Sequence, residues 1–257
     1  MKISIFSFAV NDKFPINITH NQFKKYMNEE YEFIIFNDAM NIDMETKINE
    51  ITSNNNIKCV RVPQDIHKIN NPSEAYATTL DWAVREYAVN NDCEVIVLMH
   101  TDIFPICNIS ISNIIGDNII ASTTEFRILD GNPVNYLYPA FTVINMKLLK
   151  NPNDLSFGVE PGLDTGGKSR HFINNNAQLV KFLPVYQASY MMSIMEKDPV
   201  SKYFKDDLEI CRNHGLSAGW VSCGFYHYMA GSQWNADNLT FAEGHKKRMD
   251  LFLKYFN

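Results

Sequence analysis

The first hundred residues alternate between short apolar segments and longer polar segments, and this alternation restricts the fold more than any other feature of the chain. The apolar segments are rich in β-branched and aromatic residues, whereas the polar segments have helical spacing. Such an alternation predicts an α/β fold with a mostly parallel sheet, right-handed crossovers and flanking helices. Strands are expected at 2–10, 31–36, 57–62 and 94–99, and helices at 19–30, 43–53 and 72–90.

The third of these helices has the clearest start signal in the sequence. Asn71 is a residue type that caps helices, Pro72 fits the first helical position, and Glu74 completes a capping box. The strand that follows, 94–99, is a continuous apolar run. Such a run is typical of a central strand that is covered on both faces.

In parallel sheets of this kind, ligands bind outside the carboxyl ends of the strands. The residues directly after each predicted strand are therefore the candidates for a binding site. They are Phe8 to Asp12, Asn37 and Asp38, Pro63 to Asp65, and His100 to Asp102.

The positions of the glycines exclude several phosphate-binding loops. The chain has 11 glycines, and all of them lie at or beyond Gly116. Dinucleotide fingerprints and P-loops need glycine directly after the first strand, so that the backbone approaches phosphate closely. Neither motif exists in residues 1–115, and the glycine-rich methyl-donor loop of doubly wound methyltransferases is absent as well.

The second half has a more mixed pattern. Strands are expected at 118–124 and 134–146, and a helix at 166–182. An aromatic-rich stretch (218–234) precedes a closing helix that starts at the capping box of Thr240 and Glu243. We expect a single domain, residues 1–257, with two differently patterned halves, 1–105 and 106–257.

Composition excludes some partners and indicates a compartment. The net charge of −6 argues against nucleic-acid binding, which needs a basic surface. No apolar stretch is long enough to span a bilayer, and no small-residue cleavage site follows the apolar N-terminus. The five cysteines are widely spaced and contain no C-x-x-C pair, so a cytoplasmic protein with buried thiols is expected, without a disulfide framework or a structural zinc site.

The tripeptide H-T-D at 100–102 is the strongest candidate for a metal site. Two potential ligands at positions i and i+2 after a buried strand can turn toward one point. A carboxylate from Asp102 and an imidazole from His100 together suit Mn²⁺ or a related divalent ion. The alternative is a capping aspartate beside a histidine with an ordinary structural role.

Four segments resemble the A-type-fold (GT-A) glycosyltransferases, in the order in which that family carries them. They are Y-E-F-I-I-F-N-D-A (31–39), N-P-S-E-A-Y-A-T-T-L-D-W-A (71–83), V-I-V-L-M-H-T-D-I-F-P (95–105) and F-Y-H-Y-M-A-G-S-Q-W (225–234). The resemblance implies the GT-A fold, with a nucleotide-binding half (1–105) and a mixed sugar- and acceptor-binding half (106–257). It also implies a transferase that moves a sugar from a nucleotide-diphosphate sugar to a carbohydrate or glycoconjugate acceptor.

The same resemblance implies a divalent metal, Mn²⁺ or Mg²⁺, at the family's Asp-x-Asp motif. Asp102 and His100 would hold this ion together with the diphosphate, and His227 would be a third ligand. The sequence departs from the family at His100, which stands in place of the first acidic residue. Because no glycine-rich loop receives the diphosphate in the first half, a cation held by Asp102 would neutralise its charge instead.

The resemblance further implies which residues contact the rest of the donor. Asp38 would bind the nucleoside, and Gly231 would shape the diphosphate and sugar pocket. An aromatic ring packs well against the apolar face of a sugar, which is the role expected of Trp234. The remaining nucleoside contacts are expected from the backbone and side chains of Phe8, Ala9, Val10 and Asn11.

An inverting transferase needs a carboxylate base that deprotonates the acceptor hydroxyl. The best candidate is Asp164 in P-G-L-D-T-G-G, where glycines leave room for a sugar ring. The alternative is that Asp164 caps the following helix. Glu160 and Glu125 are the reserve candidates, and a retaining enzyme would need no such base.

Lys246, Lys247 and Arg248 form a basic cluster on the closing helix, which leaves peripheral membrane contact open. The favoured interpretation is a helix that packs on the core and has a solvated basic face. For the whole chain, the alternative to an enzyme is a non-catalytic nucleotide- or glycan-binding protein of the same fold. Sugar nucleotidyltransferases usually carry a glycine-rich basic loop after the first strand. The segment F-S-F-A-V-N-D has neither glycine nor arginine, so this class is disfavoured.

Overall fold

A computed structural model describes residues 2–10, 16–67, 71–187, 199–229 and 239–256. The chain divides into two compact units, each with its own sheet. The first unit comprises Met1–Asn11, Glu29–His100 and Ser110–Leu183, and the second comprises Asp12–Asn28, Thr101–Ile109 and Pro184–Asn257.

The first unit contains a seven-stranded sheet in the order β3-β2-β1-β4-β7-β6-β8. The three pairings among β1 to β4 are parallel, as is that of β6 with β8, whereas β7 is antiparallel to both β4 and β6. The strands are β1 (Ile3–Ala9), β2 (Tyr31–Asn37), β3 (Lys58–Arg61), β4 (Val95–His100), β6 (Ile120–Leu129), β7 (Asn132–Asn145) and β8 (Val180–Phe182).

The α-helices described in this unit are α2 (Ile42–Asn54), α3 (Pro72–Trp82), α4 (Ile111–Ile115) and α5 (Ser169–Asn176). Asn71 caps α3 by accepting a hydrogen bond from the Ser73 amide, as its sequence predicts. The expected α/β fold with a mostly parallel sheet and flanking helices is confirmed. Its core joins side chains of the central strands to the inner face of α3 and the π-helical turn Ala83–Ala88, for example Phe6, Leu98 and Leu80.

The second unit contains a four-stranded sheet in the order β5-β11-β10-β9. Its strands are β5 (Ile103–Pro105), β9 (Tyr186–Gln187), β10 (Trp220–Ser222) and β11 (Phe225–His227), and its helices are α1 (Ile16–Tyr26), α6 (Pro199–His214) and α7 (Leu239–Phe256). The core of this unit is mainly aromatic, with rings from β5, β11, α6 and α7. Helix α6 and the short strands β5 and β9 are not predicted from the sequence.

The helix expected at 166–182 is wrong at both ends. Helix α5 begins only at Ser169, because the chain turns at Gly166 with a φ of +96°, where an added Cβ would contact the Leu137 carbonyl oxygen. The expected C-terminal part leaves the helix to form β8, which pairs in parallel with β6. Tertiary pairing therefore overrides the local helical pattern there.

The closing helix, α7, confirms the expectation of core packing. Phe252 and Phe256 lie in the aromatic core of the second unit. Arg248 is fully buried, so the surface does not carry all three members of the expected basic cluster. Among the described residues, no helix has both the length and the apolar character needed to span a membrane.

The expectation of buried thiols is confirmed only for Cys93 and Cys211. Cys59 and Cys223 are half-buried, and Cys107 is exposed, so the expectation is wrong for this last thiol.

Candidate functional site

Asp102 and His227 form a buried carboxylate–imidazole pair in the second unit. Oδ1 of Asp102 lies 3.2 Å from Nε2 of His227, and the two residues are 5% and 3% exposed. They meet because β5 pairs antiparallel with β11, with Ile103 opposite His227. The Tyr228 amide donates to the Asp102 carbonyl at 3.0 Å and continues this pairing past the end of β11.

A tight turn fixes the direction of β11. Cys223 and Gly224 join β10 to β11 with φ angles of +48° and +84°. Positive φ at both central residues is the conformation of a type I′ hairpin turn, whose twist matches that of the flanking strands. The turn places Trp220 opposite His227, and their rings lie 4.8 Å apart.

A buried ion pair supports β11 from the helices. Arg248 on α7 donates to Asp207 on α6 at 2.7 Å and 3.0 Å, and also to the Tyr228 carbonyl at 2.7 Å. The Tyr226 hydroxyl donates to Asp207 at 2.9 Å. The residues on both sides of His227 are therefore tied to one fixed ion pair.

Burial and the partner Asp207 together set the protonation states of Arg248 and Tyr226. Burial alone lowers the pKa of Arg248, but its hydrogen bonds to Asp207 outweigh that cost and raise the pKa well above the usual value. Burial, and then the charge of Asp207, raise the pKa of Tyr226 well above its usual value. Arg248 thus stays charged and the Tyr226 hydroxyl stays a donor.

His100 is the last residue of β4, and the segment Glu29–His100 of the first unit ends with it. Within that unit it pairs in register with Phe8 of β1. Its ring lies 5.2 Å from that of Tyr76 and 6.4 Å from that of Tyr138, with edge-to-face geometry in both cases. The imidazole is therefore half-buried between two tyrosine rings at the carboxyl end of the strand.

The Asp102–His227 pair fits a divalent cation. Metal bonds of about 2.0–2.2 Å that meet at roughly 90–110° hold two donor atoms about 3.0–3.4 Å apart. The observed spacing of 3.2 Å between Oδ1 and Nε2 falls in this interval. A proton on His227 would make the same pair a charged hydrogen bond, so proton and metal compete for the imidazole nitrogen.

Asp38 lies at the carboxyl end of β2 and is held by three side chains of the first unit. Oδ1 is 2.7 Å from Nε2 of His67 and 3.3 Å from Nε2 of Gln64, while Oδ2 accepts a hydrogen bond of 2.8 Å from Thr79. The residue is only 5% exposed. Its carboxylate orientation is therefore fixed within the protein.

The other residues expected to bind the nucleoside have different surroundings. The Phe8 ring is buried and stacks on Phe36 at 5.2 Å, and Ala9 is fully buried. Val10 is half-buried. Asn11 lies outside the described residues. The Ala9 carbonyl accepts a hydrogen bond of 2.8 Å from the Asp38 amide, and Phe8 pairs with a strand on each side, so their contact with a nucleoside stays a prediction.

Asp164 is exposed and accepts a hydrogen bond of 2.7 Å from the Thr165 amide. It does not cap a helix, because α5 begins at Ser169 with Lys168 at its N-cap. The role of base stays a prediction, as do those of Gly231 and Trp234, which lie outside the described residues.

The two reserve candidates for the base are both engaged in ion pairs. Glu125 lies 2.9 Å from Arg127 and accepts a hydrogen bond of 2.5 Å from the Tyr136 hydroxyl. Glu160 contacts Arg170 at 2.5 Å and His171 at 2.7 Å. Burial raises the pKa of Glu160, but the hydrogen bonds from Arg170 and His171 outweigh it and lower the pKa overall. Glu160 is therefore a weaker base than an ordinary glutamate.

Sequence reasoning missed several residues that shape these sites. Asp207 and Arg248 are charged residues on helices, and nothing in their spacing indicates that they are buried together. Two further residues, His67 and Thr79, hold Asp38. His67 lies in the loop after β3, and Thr79 lies inside α3. The rule that ligands bind beyond strand ends could have drawn attention to the loop that carries His67, but no local signal marks Thr79.

Neither a protein-family model nor a curated protein sequence matches the chain. Among solved structures, it is similar to the galactosyltransferase LgtC in complex with donor and acceptor sugar analogues. The identity is 12%, the TM-score is 0.52, and the match covers 99% of this chain and 96% of that chain. An active-site mutant of LgtC matches at 13% identity and a TM-score of 0.50, with the same two coverages. At this identity the likeness shows the fold alone, and it confirms the expected GT-A fold.

Proposed function

We propose that this chain, which has the GT-A fold, transfers a sugar from a nucleotide-diphosphate sugar to a carbohydrate or glycoconjugate acceptor with the help of a divalent metal. The observation that carries the proposal is the buried Asp102–His227 pair with metal-ligand spacing. A buried carboxylate needs compensation by hydrogen bonds or by positive charge, and a cation held by Asp102 and His227 would supply positive charge.

The proposed ligands are His100, Asp102 and His227, whose donor atoms make a set that could hold a metal ion. His100 and Asp102 are two residues apart on a continuous chain, so covalent geometry keeps their Cα atoms within about 7 Å. When bound, the metal would neutralise charge on the diphosphate as the nucleotide leaves. The protein's part is to hold and orient the ion.

The donor set favours Mn²⁺ over Mg²⁺. Two imidazoles and one carboxylate suit borderline ions such as Mn²⁺, whereas Mg²⁺ takes oxygen ligands in strict octahedral geometry. His100, in place of an acidic residue, therefore shifts the preference toward Mn²⁺.

The proposed nucleoside site is the carboxyl edge of β1 and β2. Asp38 would accept a hydrogen bond from the nucleoside, and His67, Gln64 and Thr79 support it by fixing the carboxylate. Phe8 and Ala9 would form part of this edge, and Val10 and Asn11 continue the same segment. Preorganised acceptors of this kind lose little entropy on binding.

Asp164 is the proposed base if the reaction inverts the anomeric centre. Its exposure leaves it accessible to an acceptor hydroxyl, and the Thr165 amide restrains its side chain. Gly231 and Trp234 are proposed for the diphosphate and sugar pocket. We also propose a cytoplasmic location, which the five cysteines support because none of them forms a disulfide.

A second candidate function is donor binding without transfer. His100 favours it, since the chain lacks the first acidic residue of the family's motif. Turnover separates the two functions. Incubation with UDP- and GDP-sugars and Mn²⁺ should release free nucleotide by slow donor hydrolysis if the chain is an enzyme, whereas a binding protein would leave the donor intact.

Calorimetry with a panel of sugar nucleotides, with and without Mn²⁺, tests the proposal directly. We expect one donor to bind only when Mn²⁺ is present, and Asp102→Ala to weaken that binding by at least about 100-fold, because it removes the only carboxylate of the proposed ligand set. Asp117→Ala, which removes an exposed carboxylate of the first unit, is the control and should bind like the wild type. Equal Mn²⁺-dependent binding by the Asp102→Ala variant would contradict the metal assignment.

A further inference from the structure

The two peptide groups that flank Asp102 are each held by another element of the second unit. The Thr19 hydroxyl on α1 donates to the Thr101 carbonyl at 3.0 Å, and the Tyr228 amide donates to the Asp102 carbonyl at 3.0 Å. The first bond restrains the peptide before the Asp102 Cα, and the second restrains the peptide after it. Because peptide groups are planar, fixing both of them fixes the φ and ψ of Asp102 and so the direction of its side chain.

Helix α1 is well placed to act as this support. Thr19 is 1% exposed, and Phe23, one turn later, packs its ring 5.8 Å from that of Phe225 on β11. Gln22 donates to the Phe256 carbonyl at the end of α7 at 3.4 Å. The helix is thus anchored on the same core that carries β11 and His227, so the Thr19 hydroxyl keeps a fixed position relative to that strand.

We propose that Thr19 is a positioning residue for Asp102, holding its carboxylate at ligand distance from His227 before any metal arrives. The inference rests on the proposed function, since it assigns Thr19 a role at the proposed metal site. Thr19 does not touch the metal. Its hydroxyl fixes the peptide between Thr101 and Asp102, and a ligand that is already in place loses less conformational freedom when the ion binds.

A purely structural role for the same hydrogen bond would give a different result. A buried carbonyl that loses its donor destabilises the fold, and it does so wherever it lies. Only a positioning role also weakens metal binding by protein that remains folded. Mn²⁺ affinity, measured well below the unfolding transition, therefore separates the two roles.

Thr19→Val is the informative variant, because valine keeps the shape of threonine but has no hydroxyl. Thr19→Ser restores the donor. Thr52→Val is the matched control. Thr52 is also 1% exposed, and its hydroxyl lies within hydrogen-bond distance of two backbone carbonyls of α2 in the first unit, those of Ile48 and Asn49. Both valine variants thus remove one buried hydroxyl that donates to a carbonyl.

The experiment titrates Mn²⁺ alone into each purified protein and follows the free ion by electron paramagnetic resonance, with urea unfolding in parallel. We expect Thr19→Val to weaken Mn²⁺ binding about 3- to 10-fold, since it loosens one of three ligands without removing it. Thr19→Ser and Thr52→Val should stay within about two-fold of the wild type. If Thr19→Val does not fold, Thr19→Ala is measured in the same way with the same expectation.

An unchanged Mn²⁺ affinity in the hydroxyl-free variant, with wild-type protein binding normally, would overturn the positioning role and leave the proposed function intact. An equal loss in Thr52→Val would overturn it as well, because the effect would then follow stability alone. Wild-type protein that binds no Mn²⁺ would overturn both this inference and the metal part of the proposed function.

Discussion

Asp207 and Asp102 are both buried in the second unit, but their counter-charges differ in kind. Asp207 faces Arg248, whose guanidinium keeps its charge at every accessible pH and donates twice to the carboxylate. Asp102 faces His227, which is charged only when it is protonated. Asp207 is thus neutralised permanently by Arg248. The positive charge that faces Asp102 depends instead on whether the imidazole holds a proton or a metal ion.

Burial alone therefore does not separate a structural carboxylate from one that we propose as a metal ligand. A permanent ion pair between two helices orders the aromatic core and supports β11 through Tyr226 and Tyr228. A carboxylate beside a histidine can instead take a metal ion in place of the proton. The identity of the partner, rather than the degree of burial, distinguishes the two sites.

The largest expected effect comes from breaking the permanent pair. Asp207→Asn leaves the Arg248 charge buried without its carboxylate and should lower the free energy of unfolding by about 3–5 kcal/mol. Urea unfolding followed by circular dichroism measures it. Asp102→Asn is the matched control in the same unit, and should cost less than about 1 kcal/mol because it leaves no permanently charged side chain without a partner. Equal losses in the two variants would remove the distinction between the sites.

His20, a second histidine of the same unit, allows a pH test of how burial changes the charge of an imidazole. Burial, and to a lesser extent Lys24, lower the pKa of His20 from 6.5 to about 4. The unfolded chain therefore binds this proton more readily than the folded one between these two values. The free energy of unfolding should fall by about 2 kcal/mol from pH 7.5 to pH 5 through this residue alone, and stay constant above pH 7.5.

The measurement compares urea unfolding of the wild type and of His20→Gln at several pH values. The variant should show a flatter dependence between pH 7.5 and pH 5, whatever its stability at neutral pH. Parallel curves for the two proteins would mean that burial does not keep His20 neutral in the folded state.

The smallest expected effect concerns the preference of the proposed metal site for Mn²⁺ over Mg²⁺. Wild-type protein should bind Mn²⁺ at least about ten-fold more tightly than Mg²⁺, because imidazole is a poor ligand for Mg²⁺. His100→Asp adds a carboxylate and should narrow this ratio in calorimetric titrations with each ion. His214→Asp, the same change on α6, is the control and should leave the ratio unaltered. Equal affinities of the wild type for both ions would contradict the proposed ligand set.

Most of the first unit could be predicted because its signals are local. The apolar run 94–99 and the cap at Asn71 lie within single elements, and each appears where it is expected. The exception, the helix expected up to residue 182, is the place where a segment changes to a strand because β6 is available for pairing.

The second unit gave far weaker signals, for a physical reason. It is assembled from three separate parts of the chain, and its strands are only two or three residues long. Segments this short show no periodicity, since a pattern needs several repeats to be recognised. Helix α6 was missed although Tyr203 and Phe204, two adjacent residues near its start, both lie in the core.

The candidate site, like the fold, could be predicted from the sequence only in part. The sequence by itself determined that a histidine and an aspartate end a buried strand, because strand burial follows from the local hydrophobic pattern. Only the tertiary structure decided that His227 faces Asp102, that Arg248 neutralises Asp207, and that Thr19 holds the peptide before Asp102. These contacts join residues far apart in the chain, and their formation depends on the packing of the whole aromatic core rather than on any local preference.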